Sequence, residues 1–114
     1  PQYKGSGKLQ DKVAIVTGGD SGIGRAVAVL YAREGADVAI VYLPAEQSDA
    51  EEVRDAVAKE GRKALLISGD VTDRRFCDDA VRRCVEEFGK LDILVNNAAY
   101  QEQRENLEAI TDDD

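Results

Sequence analysis

Val13-Ala14-Ile15-Val16-Thr17-Gly18-Gly19-Asp20-Ser21-Gly22-Ile23-Gly24 is the stretch whose reading decides the fold. Its first half is a continuous apolar run rich in β-branched residues, the pattern of a strand covered on both faces. Its second half crowds four glycines into seven residues. Directly after it, Ile23, Ala26, Val27, Leu30 and Tyr31 recur at helical spacing, and Gly35 ends the run. A strand, a glycine-rich turn and a helix in immediate succession make a candidate phosphate-binding unit. The glycines let the backbone turn sharply and let a pyrophosphate approach, while the helix N-terminus offers unpaired N–H groups and the positive end of the dipole. The strict G-x-G-x-x-G spacing is not met, because Val27 stands at the third position. A P-loop is excluded, since the Gly7-Lys8 pair is followed by Leu9. The pattern present is T-G-x-x-x-G-x-G through Gly18, Gly22 and Gly24. The competing reading is an ordinary glycine-rich βα turn with Ser21 as a helix cap.

The same alternation continues downstream. Val38-Ala39-Ile40-Val41, Ala64-Leu65-Leu66-Ile67 and Ile93-Leu94-Val95 are further apolar runs. A helix is predicted from about Ala45 to Glu60 with a narrow stripe of Ala50, Val53 and Val57. Another carries Cys77, Ala80, Val81, Cys84, Val85 and Phe88 on one face, with Thr72 as its N-cap and Gly89 as its stop. The resulting order β-α-β-α-β-α-β implies an α/β fold. It is the first half of a Rossmann-type doubly wound parallel sheet, with right-handed crossovers and strand order 3-2-1-4. Residues 1–11 read as a polar N-terminal arm and 12–114 as the N-terminal half of one dinucleotide-binding domain. Thr111-Asp112-Asp113-Asp114 looks like a helix cap and acidic first turn with no helix after it, so a longer chain is expected. The strand at Ile93–Val95 would then present an unpaired edge.

Composition narrows the chemistry. The 114 residues include 15 Lys+Arg, 23 Asp+Glu and no His, a net charge of −8. Without His there are no Ser-His-Asp triads, Cys-His dyads or His-ligated metals. The acidic balance disfavours nonspecific contact with nucleic acid or anionic membrane. The longest apolar run, Ala26–Ala32, is seven residues, far below a membrane span. Cys77 and Cys84 stand two turns apart on one helix, roughly 10.5 Å by helical rise, too far for a disulfide. The expected setting is reducing and cytoplasmic, and the expected role of both thiols is packing.

With these motifs in view, the sequence resembles the classical short-chain dehydrogenase/reductase family, in particular its bacterial glucose-dehydrogenase-like and general-stress-type members. The resemblance runs from about Lys12 to Thr111. It rests on Thr17–Gly24, on Gly69-Asp70-Val71 after the third strand, and on Asn96-Asn97-Ala98-Ala99 after the fourth. It implies hydride transfer between a nicotinamide cofactor, NADP or NAD, and a small alcohol or carbonyl substrate, in a homotetramer. Gly18, Ser21, Gly22, Ile23 and Gly24 would surround the pyrophosphate and the nicotinamide-side ribose. Asp70 and Val71 would meet the adenine, while Asn97, Ala98 and Ala99 would lie by the adenine ribose. Asn96 would tie the sheet together. Ala99 stands where the family usually has Gly. Tyr42 and Leu43 end the second strand, where a carboxylate reads a ribose 2′-hydroxyl and a basic residue a 2′-phosphate. No carboxylate stands there, which favours NADP over NAD. Asp37 lies at the wrong end of that strand, and Arg25 is the nearest basic candidate for a 2′-phosphate. The family's Tyr-x-x-x-Lys pair is absent, the nearest approach being Tyr100 with Arg104, so no catalytic residue can be named in this chain. The alternatives are a non-catalytic dinucleotide-binding module or inactive fragment, and a different Rossmann-type enzyme such as an epimerase or methyltransferase.

Overall fold

Val13–Thr17 (β1) and Asp37–Tyr42 (β2) lie side by side at the centre of a four-stranded parallel sheet, and almost every residue in them is buried. The structure is a computed structural model and describes residues 7–19 and 22–97. Ala64–Ser68 (β3) and Ile93–Asn96 (β4) flank the central pair, giving the order β3-β2-β1-β4. Three helices connect the strands: Gly22–Arg33 (α1), Gln47–Lys59 (α2) and Arg74–Phe88 (α3). A short 3-10 turn, Pro44–Glu46, leads into α2, so that helix starts two residues later than its apolar pattern indicates. Proline at the first position of the turn suits its fixed φ.

Side chains alternate between two cores. Val16, Val38, Ile40 and Tyr42 face α1 and α2, where they pack on Ala28, Ala32, Val53 and Val57. Val13, Ile15, Ala39, Val41 and Ile67 face α3, against Ala80 and Cys84. Cover on both sides is the reason β1 and β2 are apolar without alternation, whereas the edge strands β3 and β4 are only partly covered. Burial pushes the Cys84 thiol up to about 11, so it serves as a small hydrophobe. Both cysteines are unpaired.

Two local expectations are corrected. The buried stripe of α1 is Gly24, Ala28 and Ala32, with Val27 and Tyr31 half-buried, whereas Ile23 and Leu30 are exposed. Small residues at i, i+4 and i+8 let the helix approach the sheet closely, which the larger Ile23 and Leu30 would prevent. The N-cap of α3 is Asp73, not Thr72: its carboxylate accepts from the amides of Arg75 and Phe76. Thr72 is engaged instead by Asp70. Residues 7–12 form a turn tied to the α1–β2 junction through Leu9 N to Glu34 O and Asp11 N to Gly35 O. Residues 1–6 of the expected arm lie outside the described residues.

The far end of β1 is pinned by Asp92, whose Oδ2 accepts from the Val13 amide at 2.9 Å and lies 3.3 Å from Lys90 Nζ. The Val13 amide, and secondarily Lys90, hold the Asp92 carboxyl below its ordinary value near 3.8. A group depressed on folding stabilises the fold above its unfolded pKa, and that contribution is lost as pH falls through the folded value. Acid unfolding below about pH 4 is therefore expected to be shallower in Asp92→Asn than in the parent chain when chemical melts are compared across pH. A second expectation concerns Gly24, where an added Cβ would lie 2.1 Å from the Gly18 carbonyl oxygen. Overpacking of this kind costs roughly 1–3 kcal/mol, against about 1 kcal/mol that alanine gains over glycine in a helix. Gly24→Ala should lower the melting temperature, and an unchanged or raised one would contradict the packing described.

Candidate dinucleotide site

All four parallel strands end on one edge of the sheet, and every turn singled out in the sequence follows one of those ends. β1 is the switch point: the chain leaves it through α1 on one face, whereas α3 crosses back to β4 over the other. In open α/β sheets ligands bind in the crevice formed at such a point.

The turn after β1 is held from three directions. The Gly18 amide donates to Val41 O at 2.8 Å. The Gly18 carbonyl accepts from Asn97 Nδ2 at 3.3 Å and abuts Gly24. Thr17 Oγ1 donates to Asn96 Oδ1 at 3.1 Å, and Thr17 pairs with Asn96 in register. Asn97 is buried, so its amide serves the turn. Asn96 ties β4 to β1 through its side chain as well as the ladder.

Gly22 opens α1 with φ +56°, and among the described residues nothing lies within 4 Å of where its Cβ would be. That conformation disfavours an L side chain, and no described residue covers this point of the first turn of α1. Ile23, next to it, is 61% exposed. A large aliphatic side chain beside a helix N-terminus fits a surface a ligand would cover. Leu43 forms another exposed apolar rim after β2. Tyr42 is buried with the α1–α2 core, and its hydroxyl donates to Gln47 Oε1, so it supports this rim from beneath.

The turn after β3 is built on Asp70. Its Oδ1 accepts from both the amide and the hydroxyl of Thr72, at 2.8 and 2.7 Å. These bonds to Thr72 hold the carboxyl below its ordinary value, so it is anionic at neutral pH. Val71 O accepts from Cys77 Sγ at 3.1 Å, anchoring that turn to α3. Beside it lies an apolar cavity of about 300 Å³ between α3, β1 and β4, lined by Ile15, Val71, Phe76, Ala80 and Leu94 among others. Sequence reasoning assigned Ile15, Cys77, Ala80, Val81 and Leu94 of this lining to strand or helix core, and marked Val71 for the adenine. Only the edge position of β4, with Leu94 60% exposed, signals that this part of the core is open.

Of the residues marked from sequence, Gly18, Gly22, Ile23, Gly24, Tyr42, Leu43, Asp70, Val71 and Asn97 all stand at the strand-end edge. Gly24, Tyr42 and Asn97 support the site from within. Ser21, Ala98 and Ala99 lie outside the described residues. Asp37 is at the opposite end of β2, where it binds Arg62 at 3.1 Å. Among the described residues no group of three or more His, Cys, Asp or Glu could hold a metal, and no helix is long and apolar enough to cross a membrane.

Comparison with known proteins bears on this arrangement. The family model described as short chain dehydrogenase matches residues 12–114. General stress protein 39 of Bacillus subtilis is 59% identical over 109 residues, covering 96% of this chain and 38% of that protein. A short chain dehydrogenase from Burkholderia cenocepacia, solved in complex with NADP, is 46% identical with a TM-score of 0.74, over 78% of this chain and 36% of that one. The apo glucose dehydrogenase of Caenorhabditis elegans is 43% identical with a TM-score of 0.71, over 79% and 38% of the two chains. The chain thus spans less than two fifths of the length of these relatives. A match that starts at the first strand and holds through the glycine turn places the chain in the short-chain dehydrogenase family.

Proposed function

We propose that this chain supplies the cofactor-binding half of an NAD(P)-dependent oxidoreductase acting on a small alcohol or carbonyl compound. In this reading residues 12–114 are the N-terminal half of a single Rossmann dinucleotide-binding domain. The observation that carries it is the convergence, on one sheet edge, of the open first turn of α1, the exposed Ile23 and the anionic Asp70 turn. When bound, the nicotinamide would accept or deliver the hydride. The chain's own residues bind and orient. Gly22 leaves the α1 amides clear for a pyrophosphate, and Ile23, with Ser21, Gly18 and Gly24, borders the nicotinamide-side ribose. Asp70, beside Val71, accepts from the adenine amine. Asn97 and Ala98 form the floor under the adenine ribose with Ala99 next in that loop, and Leu43, backed by Tyr42, forms its outer wall. The proton-transfer groups belong to sequence beyond Asp114.

NADP is the preferred cofactor in this proposal. The support is the absence of a carboxylate at the end of β2 and a 46%-identical relative solved with NADP. A homotetrameric enzyme in a reducing, cytoplasmic setting completes the reading, in keeping with two unpaired thiols.

Gly22→Ala tests the turn, and because φ +56° strains an L side chain, its nucleotide binding is read alongside its melting temperature. Among the described residues the added methyl meets no atom within 4 Å, and it stands in the space assigned to the pyrophosphate. In fluorescence titrations of the full-length protein, the parent is expected to bind NADPH more tightly than NADH. Gly22→Ala is expected to weaken both by about ten-fold or more, the equivalent of roughly 1.4 kcal/mol. A clear NADH preference would reverse the cofactor assignment, and unaltered binding by the variant would move the dinucleotide away from this turn.

A further inference from the structure

Two ion pairs join α1 to α2. Arg25 Nη1 lies 3.3 Å from Glu52 Oε2, and Arg33 Nε lies 3.0 Å from Glu60 Oε2. Each links residues 27 apart in sequence. They are equivalent rungs between two helices that follow successive parallel strands, about 12 Å apart along the helix axis. Their surroundings differ. Arg33 closes α1, and Glu60 caps the end of α2, both remote from the strand-end edge. Arg25 follows Gly24 directly, in the first turn of α1. Helical side chains lean toward the N-terminus, so its stem is directed toward the end of α1 that borders the glycine turn.

Glu52 lies in the second turn of α2, the helix that follows the end of β2. Its neighbour Glu51 accepts from Gln47 Nε2 at 3.0 Å, and Gln47 in turn accepts from the Tyr42 hydroxyl at the end of β2. Between Leu43 and Val53 the chain carries four carboxylates, Glu46, Asp49, Glu51 and Glu52, and no Lys or Arg. A 2′-phosphate arriving beside the end of β2 would meet this acidic turn, with Arg25 the cation reaching it from α1.

We propose that Glu52 sets the preference between NADP and NAD by holding Arg25. The inference rests on the dinucleotide lying over the glycine turn, as proposed above. With a ribose 2′-hydroxyl nothing competes for the guanidinium, and Glu52 is silent. With a dianionic 2′-phosphate the guanidinium is shared or surrendered, and the strength of the ion pair is subtracted from binding. Glu52 touches no cofactor in this scheme; it is a positioning residue that acts through Arg25. Exposed ion pairs are weak, so the effect is about two- to five-fold in a dissociation constant.

The test compares the full-length protein with its E52Q, R25Q and E60Q variants, titrated with NADPH and with NADH at low ionic strength. E52Q should tighten NADPH by about two- to five-fold and leave NADH unmoved. That gain should shrink toward nothing as salt is raised to about 0.5 M. R25Q should weaken NADPH by about three- to ten-fold, with NADH unmoved. E60Q cuts the matched rung and should change neither. If E52Q and E60Q behave alike, or E52Q shifts both nucleotides equally, or R25Q leaves the NADPH-to-NADH ratio where it was, Glu52 is a strut between helices and the proposal is overturned. If the parent protein binds neither nucleotide, the dinucleotide reading itself fails and this inference falls with it. Binding with an unmoved ratio overturns only the inference.

Discussion

The Gly18 carbonyl oxygen is the point where three separate parts of the chain come within contact distance. Asn97 donates to it from the end of β4, and α1 begins against it at Gly24, where a Cβ would lie 2.1 Å away. The backbone on either side belongs to the turn that ends β1, whose next anchor is the Gly18 amide on Val41 O. A side chain at position 24 would lift the first turn of α1 off the sheet, and the open space over Gly22 would lose its floor. The cradle is shaped from below by the absence of two methyl groups and by one buried amide. Ile23, Leu43 and Asp70 define its rim, but they are placed by elements whose spacing this contact sets.

The strands and their order were legible because two-sided burial leaves an unmistakable mark. A run such as Val38-Ala39-Ile40-Val41 has no polar face to give to water. Helix faces were harder to read. In α1 the large apolar residues Ile23 and Leu30 attracted the assignment, whereas the helix is seated on Gly24, Ala28 and Ala32. Hydrophobic periodicity weights size, but close approach to a sheet selects smallness, and the two criteria point to faces offset by about one residue. The cap of α3 shows a different limit. Thr72 and Asp73 are both good capping residues by type, and only the claim of Asp70 on Thr72 decides between them.

The candidate site was marked in the sequence by its glycines and Asp70, because backbone needs translate directly into residue type. Its supports were less so. That the Asn97 side chain also braces the Gly18 carbonyl is not readable from its sequence position. The partner of Arg25 could not be found from sequence, since Glu52 lies 27 residues away on a helix whose rotation depends on the start of α2. The cavity beside Val71 was foreshadowed only by the expected unpaired edge of the fourth strand, since most of its lining reads as ordinary core.

The bonds that finish the glycine turn have a consequence for how the protein is made. Thr17 to Asn96 and Asn97 to Gly18 each span 79 residues. A ribosome adds about 5–20 residues per second, so roughly 4–16 s separate the synthesis of the turn from that of the residues that brace it. During that interval β1 and α1 can pair and pack with β2, but the Gly18 carbonyl has no Asn97 to receive. The nucleotide cradle is thus an early sequence and a late structure. Its competence is timed by the arrival of β4, not by the glycines that identify it.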